Sequence, residues 1–219
     1  MIFTNVSWIG DFFLLWPVAS WYHKTHKEKI HFVVTKNYYM YPIIDKFLRH
    51  QPFTEEITYV DVGSNALDPN NFDFNPSNFG ISGSYLNFGF YRSVTLSDYV
   101  PQYYANRHGL GVDWDYVPTL IEFDDVPHKK VTMEVAHQKN GYWPIWRKMM
   151  PSDVTELDPY NTPFEKNVWY SVKSKERHFG CTSSPVLMDL FNLKCNVYCD
   201  PGFNPQVYYR NKFHNIIKV

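Results

Sequence analysis

The sequence predicts an α/β protein made of two small doubly wound halves, each with its own parallel sheet. Three observations carry that expectation. Runs that favour strand alternate with runs of helical period through the first sixty residues. The strand-like runs are almost continuously apolar, as in KIHFVVTK (Lys29–Lys36), the pattern of strands covered on both faces. After a stretch with prolines and acids around 124–128, the same alternation starts again.

The elements follow in order. Ile2–Ser7 is a short β-prone run, and Phe12–Lys24 carries apolar residues at helical spacing with Pro17 early in it. Lys29–Lys36 is the second strand. YYMYPIIDKFLRH (Tyr38–His50) is a second helix, and EEITYVDV (Glu55–Val62) a third strand. Strand, helix, strand, helix, strand with short connections calls for parallel strands joined by right-handed crossovers. Gly63–Gly89 is rich in Asn, Gly, Ser, Pro and Asp and reads as a long loop or irregular hairpin. Loops of that length tend to be functional or mobile. Leu96–Leu110 returns to helical spacing, with Ser97 as its N-cap and Gly109 as its stop. Gly111–His128 reads as a strand and a linker. Pro118, Pro127, Asp124 and Asp125 mark a boundary, so the expected domains are 1–125 and 126–219.

In the second half, Lys129–Ala136 is a strand, His137–Tyr142 a polar loop and Trp143–Pro151 a helix. Thr155–Pro159 holds a short strand and Thr162–Lys175 a helix. Arg177–Cys181 is a strand, Thr182–Ser184 a turn, Pro185–Leu193 a helix and Lys194–Asp200 another strand. Each half is about the size of the smallest doubly wound units.

Composition narrows the function. The net charge of −1 leaves no broad basic field for gathering nucleic acid. Aromatics make up 19% of the chain, which suits a core built with rings as well as stacking on flat ligands. The N-terminus does not read as a secretory leader, because no basic region precedes its apolar run and that run carries Asp11. No run of about 20 apolar residues exists to span a membrane. Cys181, Cys195 and Cys199 are odd in number and lack zinc spacing, so reduced thiols and a cytoplasmic location are expected.

In open parallel sheets ligands bind beyond the carboxyl ends of the strands. Three turns there carry chemistry. Trp8-Ile9-Gly10-Asp11 offers a glycine that lets backbone and ligand approach, followed by a carboxylate. Ala136–Gly141 offers His137 and Lys139. Gly180–Pro185 offers Thr182, Ser183 and Ser184, hydroxyl donors at a helix N-terminus, a setting suited to phosphate. Each has an ordinary structural use as well: Asp11 and the hydroxyl turn as helix caps, Lys139 as a solvated charge. Asp113 and Asp115 have D-x-D spacing but sit in linker context, so no metal is called for.

The stretch WIGDFFLLWPVASWYHKTHKEKIHFVV (Trp8–Val34) resembles the opening of the ADP-heptose:lipopolysaccharide heptosyltransferase family, with its strand, I-G-D loop and proline-bearing apolar helix. Val131–Met150 is similar to the start of that family's second domain, where a lysine-bearing loop runs into a W-P-led helix. Arg177–Cys199 resembles its late strand, small-residue turn, helix and strand. Gly63–Gly89 matches nothing in it. The resemblance implies a glycosyltransferase of the B fold, two Rossmann-like domains facing across a cleft. It implies inverting, metal-independent hexosyl- or heptosyl-type transfer with no cofactor. Asp11 aligns with the catalytic acid as general base, with Trp8 and Gly10 in the acceptor-side loop. The donor side would comprise His137, Lys139, which falls near the donor-loop lysine, and Thr182, Ser183 and Ser184 on the turn that holds the donor phosphates. Cys181 and Val186 stand where the family usually has an acid and a histidine, which leaves donor sugar and nucleotide open.

A hydroxyl becomes a competent nucleophile when a base takes its proton as the new bond forms. A carboxylate at a helix start needs apolar surroundings to offset the dipole, and Trp8, Phe12 and Phe13 are suited to supply them. Lys139 and the hydroxyl turn would neutralise the departing phosphate. The partners expected are therefore a nucleotide-sugar donor and an acceptor that is a glycan, a lipid-linked sugar or, less in keeping with the charge, a nucleic acid. Two alternatives stay open: a non-catalytic nucleotide- or sugar-binding module of the same fold, and a nucleic-acid-modifying transferase whose aromatics stack on bases.

Overall fold

All four residues of β1 (Ile2–Asn5) are buried, as a strand covered on both faces must be. It heads the first of two units in a computed structural model. The structure describes residues 1–5, 9–36, 40–61, 74–88, 99–133, 143–159, 161–181, 183–210 and 213–218. In the first unit, Met1–Tyr116, β1 is followed by α1 (Ile9–His26), β2 (Ile30–Thr35), α2 (Met40–Arg49), β3 (Thr54–Val60), β4 (Tyr85–Asn87) and α3 (Val100–His108). The strands are parallel in the order β3-β2-β1-β4, with Phe3 opposite Phe32 and Ile2 opposite both His31 and Tyr85.

Rings build the core of this unit. Phe3, Phe12, Phe13, Trp16, Phe32, Phe47, Phe53, Phe88 and Tyr104 are fully buried. They meet edge to face, as in Phe12 on Phe32 (5.4 Å, 86°) and Phe13 on Trp16 (5.1 Å, 82°). Each buried ring contributes roughly 1.5–3 kcal/mol of apolar burial, and edge-to-face pairing adds to it. Helix α1 is buried from Asp11 through Ser20 without a break. Such a helix cannot slide or rotate without opening the core, so its first turn is held in place.

The second unit, Val117–Val219, comprises β5 (Lys130–Met133), α4 (Trp143–Met149), β6 (Thr155–Leu157), α5 (Phe164–Lys173), β7 (Glu176–Gly180), α6 (Ser183–Leu190), β8 (Asn196–Cys199) and β9 (Asn215–Lys218). Its strands are parallel in the order β6-β5-β7-β8-β9. Gly180 lies flat against the buried ring of Trp146, where any Cβ would run into the indole. Polar staples replace much of the aromatic packing. The Arg177 guanidinium donates to the carbonyls of Ser171, Val172 and Ser174 at the end of α5 (2.5–2.7 Å). The Asp189 carboxylate accepts the Arg210 N–H (2.9 Å) and pairs with His214 Nε2 (2.9 Å), while His214 Nδ1 accepts the Cys195 N–H (3.2 Å). This ties the end of α6 to the chain entering β9.

Several details differ from the sequence expectation. β4 lies inside the stretch that composition marks as loop or hairpin, and β9 carries no periodic signal. Both are three- or four-residue strands made by pairing with a neighbour rather than by their own pattern. The strand expected within Gly111–His128 is absent. Instead Asp113 staples that segment to α1. Its N–H donates to the Pro17 carbonyl (3.0 Å), and its carboxylate receives the Ser20 hydroxyl (2.5 Å) and Lys24 (2.7 Å). The expected cap Ser97 lies outside the described residues. α3 ends where Gly109 turns left-handed (φ 65°) and its N–H reaches the last carbonyls. The units divide at 116/117. Residues 117–125, which composition groups with the first half, are tied to α5: Trp169 donates to Glu122 (2.8 Å) and Lys166 pairs with Asp125 (2.8 Å).

Two predictions follow from this packing. Asp189→Ala strands the part-buried Arg210 N–H and the buried His214 Nε2, and should lower unfolding free energy by about 2–4 kcal/mol in urea titrations. Burial holds the imidazoles of His178 and His108 below their ordinary value of 6.5, against the opposing pull of Glu176 on His178 and of the Asn87 carbonyl on His108. Lys130, close to His178, adds to the lowering, and Tyr198 meets Nδ1 at 3.1 Å. Below pH 6.5 the unfolded chain therefore binds protons that the folded chain refuses. Stability should fall as pH drops from that value toward the folded-state values, by at most about 1.4 kcal/mol per pH unit per imidazole. Urea midpoints between pH 7.5 and 5 should show this slope, and His178→Gln should make it shallower.

Candidate active site

A parallel strand that hands over to a helix places the turn and the helix N-terminus at the carboxyl edge of its sheet. In the first unit the strand order changes direction at β1, which has β2 on one side and β4 on the other. α1 follows β1 in the chain. Gly10 and Asp11 are the second and third residues of that helix, inside its first turn rather than ahead of it. The sequence places the helix start three residues later, at Phe12, whereas the helix begins at Ile9 and takes Asp11 into its first turn. Asp11 is 4% exposed, and Phe12, Phe13 and Leu14 around it are buried. A carboxylate there feels the positive end of the α1 dipole in apolar surroundings. Trp8 lies outside the described residues.

Two further polar groups hold this edge. Thr4 Oγ1 donates to the Leu86 carbonyl (3.4 Å), and Asn5 Nδ2 to the Phe88 carbonyl (3.5 Å). They join the end of β1 to the end of β4. No local motif marks them, because their partners are more than eighty residues away.

In the second unit the order changes direction at β5, flanked by β6 and β7. The turn after β7 opens α6. The Cys181 N–H donates to the Tyr198 carbonyl (2.8 Å), carrying the β7–β8 ladder one residue past the strand. Ser183 and Ser184 are the first two residues of α6, 4% and 0% exposed, followed by Pro185. Pro185 costs no helix hydrogen bond there, since first-turn N–H groups lack intrahelical partners. The Ser184 hydroxyl donates to the Met133 carbonyl at the end of β5 (2.8 Å). The Ser183 hydroxyl has no hydrogen-bond partner among the described residues. Val186 is buried within α6. Thr182, His137 and Lys139 lie outside the described residues. Burial pushes the Cys181 thiol up to about 12, so at neutral pH this turn presents a neutral thiol where the resemblance leads one to expect an acid. Among the described residues no cluster of three or more His, Cys, Asp or Glu side chains could hold a metal. No described helix is long and apolar enough to cross a membrane.

No family model and no curated protein matches this sequence. Two solved structures match it across its whole length. One is the E. coli heptosyltransferase WaaC with ADP, with a TM-score of 0.59, 10% identity and 93% of that chain covered. The other is a glycosyl transferase of family 9 from Veillonella parvula DSM 2008, with a TM-score of 0.62, 9% identity and 85% of that chain covered. The fold is therefore the α/β fold of these glycosyltransferases, with a parallel sheet in each unit.

A thiol whose ionisation lies near 12 instead of 9 is a poor nucleophile at pH 8. Native Cys181 should react with iodoacetamide at least about a hundredfold more slowly than in the urea-unfolded chain. Peptide mass spectrometry over a time course reads this directly. Equal rates would mean that the folded thiol ionises as readily as it does in the unfolded chain.

Proposed function

We propose that this protein is a glycosyltransferase. It moves a sugar from a nucleotide-sugar donor to an acceptor hydroxyl, inverting the anomeric centre without a metal or cofactor. One observation carries the reading: in a chain with the fold of two known glycosyltransferases, the first helix begins at the point where strand order reverses, and its first turn holds the buried carboxylate of Asp11. A carboxylate in that setting is suited to take a proton from an acceptor hydroxyl as it attacks the anomeric carbon. The bond from that carbon to the donor's diphosphate breaks in the same step. The leaving nucleoside diphosphate gains negative charge, which helix N-terminal N–H groups and hydroxyls stabilise. The start of α6, with Ser183 and Ser184, supports the donor role on the second unit, and Thr182, His137 and Lys139 are proposed to complete it. The metal-free assignment is supported by Asp113, whose carboxylate serves Ser20 and Lys24 and so does not act with Asp115 as a cation pair. The acceptor proposed is a glycan or lipid-linked sugar, and the three free cysteines suit a cytoplasmic location.

The test is donor turnover by the full chain over a panel of nucleotide sugars, with and without EDTA. The wild type should release nucleoside diphosphate at rates that EDTA leaves unchanged. Asp11→Asn should lower the rate by at least about a hundredfold, the scale of a lost general base, with nucleotide affinity within about twofold of wild type. Equal turnover in the variant removes Asp11 from the chemistry. Nucleotide binding without turnover in the wild type assigns the chain to the non-catalytic binding modules.

A further inference from the structure

The two serines that open α6 are chemically alike but placed for different work. The Ser184 hydroxyl is fully buried and committed to the Met133 carbonyl, 51 residues earlier in the chain, at 2.8 Å. Met133 ends β5, the strand beside which the order of the second sheet changes direction. The bond therefore fastens the first turn of α6 to the neighbouring strand at the carboxyl edge. The Ser183 hydroxyl is also buried, 4% exposed, yet has no partner among the described residues. A buried hydroxyl in that state costs stability unless something else supplies its hydrogen bond.

Successive helical side chains point about 100° apart around the axis, so pinning one sets the direction of the next. The helix N-terminus contributes its own N–H groups and the positive end of its dipole. We propose that Ser184 is a positioning residue and Ser183 the hydroxyl that meets the ligand. The clamp from Ser184 to Met133 fixes the rotation and height of the first turn of α6. The Ser183 hydroxyl and the adjacent N–H groups then converge on one phosphate oxygen set of a nucleoside diphosphate. This inference rests on the donor-side reading above and divides labour within it. Ser184 acts only through Ser183 and the helix start, and does not touch the ligand.

Calorimetric titration of ADP, UDP, GDP and inorganic pyrophosphate into the full chain tests the division. Ser183→Ala and Ser184→Ala should each weaken the bound member of the panel by about five- to tenfold. Ser184→Thr, which keeps the hydroxyl, should restore affinity to within about threefold. Ser184→Cys conserves volume but donates weakly, so it should bind like the alanine variant while remaining folded by circular dichroism. The double Ser183→Ala/Ser184→Ala variant should be weakened by clearly less than the product of the two single effects, because without the Ser183 hydroxyl the clamp has only the helix N–H groups left to aim. Wild-type affinity in both the Ala and Cys variants at 184 overturns the positioning role and leaves the donor site standing. A double variant weakened by the product of the single effects overturns it differently, by making Ser184 a direct ligand. If the wild type binds no member of the panel, the donor-side reading itself falls, and the division of labour with it.

Discussion

A parallel strand can rejoin its own sheet only by crossing over a face, and this requirement organises the molecule. Right-handed crossovers send every strand-to-helix turn of a unit to one edge and every helix-to-strand turn to the other. Side chains in the first turn of α1 share an edge with the ends of β1 and β4. Those opening α6 share an edge with the ends of β5, β7 and β8. Helix dipoles then point their positive ends outward at the same edge, at the place where strand order reverses and a crevice forms. The chemistry proposed for Asp11 and for Ser183 uses positions that this geometry supplies before any side chain is chosen.

The two units secure those positions by different means. The first relies on rings. α1 is buried along most of its length among Phe12, Phe13, Trp16, Phe32 and Phe53, so Asp11 rides on a helix with almost no freedom to shift. The second has shorter helices and relies on buried and part-buried polar bonds: Arg177 to the end of α5, Asp189 to Arg210 and His214, Ser184 to Met133. Ring packing is broad and tolerates small losses, whereas a buried polar bond is all or nothing, because its removal leaves a donor or acceptor in a dry interior. α6 is thus held in the more brittle way of the two, because losing one buried bond there shifts its first turn.

The two turns differ in the groups they present. Around the α6 turn the described groups include hydroxyls, backbone amides and a thiol that burial, with the Asp200 carboxylate nearby, keeps protonated. Such a turn can stabilise an anion without a fixed counter-charge that would first have to be desolvated. The Asp11 carboxylate is the charge-bearing group of the other turn.

The sequence by itself determined the fold class, the alternation of the main strands and helices, and the two turns worth watching. Those features are local: apolar runs such as IHFVV, helical spacing in PVLMDLFNL, and glycine or small residues where a strand becomes a helix. The tertiary structure decided everything that depends on a distant partner. β4 and β9 exist because β1 and β8 pair with them, not because YLN or NIIK has a strong pattern. Asp113 has metal-like spacing on paper but lies against Ser20 and Lys24 in space. Ser183 and Ser184 read identically as hydroxyl donors, and only the Met133 carbonyl, brought close by the β5–β7 pairing, separates the bonded hydroxyl from the one with no partner among the described residues. Periodicity and turn chemistry are written over a few residues, whereas a hydrogen-bond partner is chosen by the folded chain as a whole.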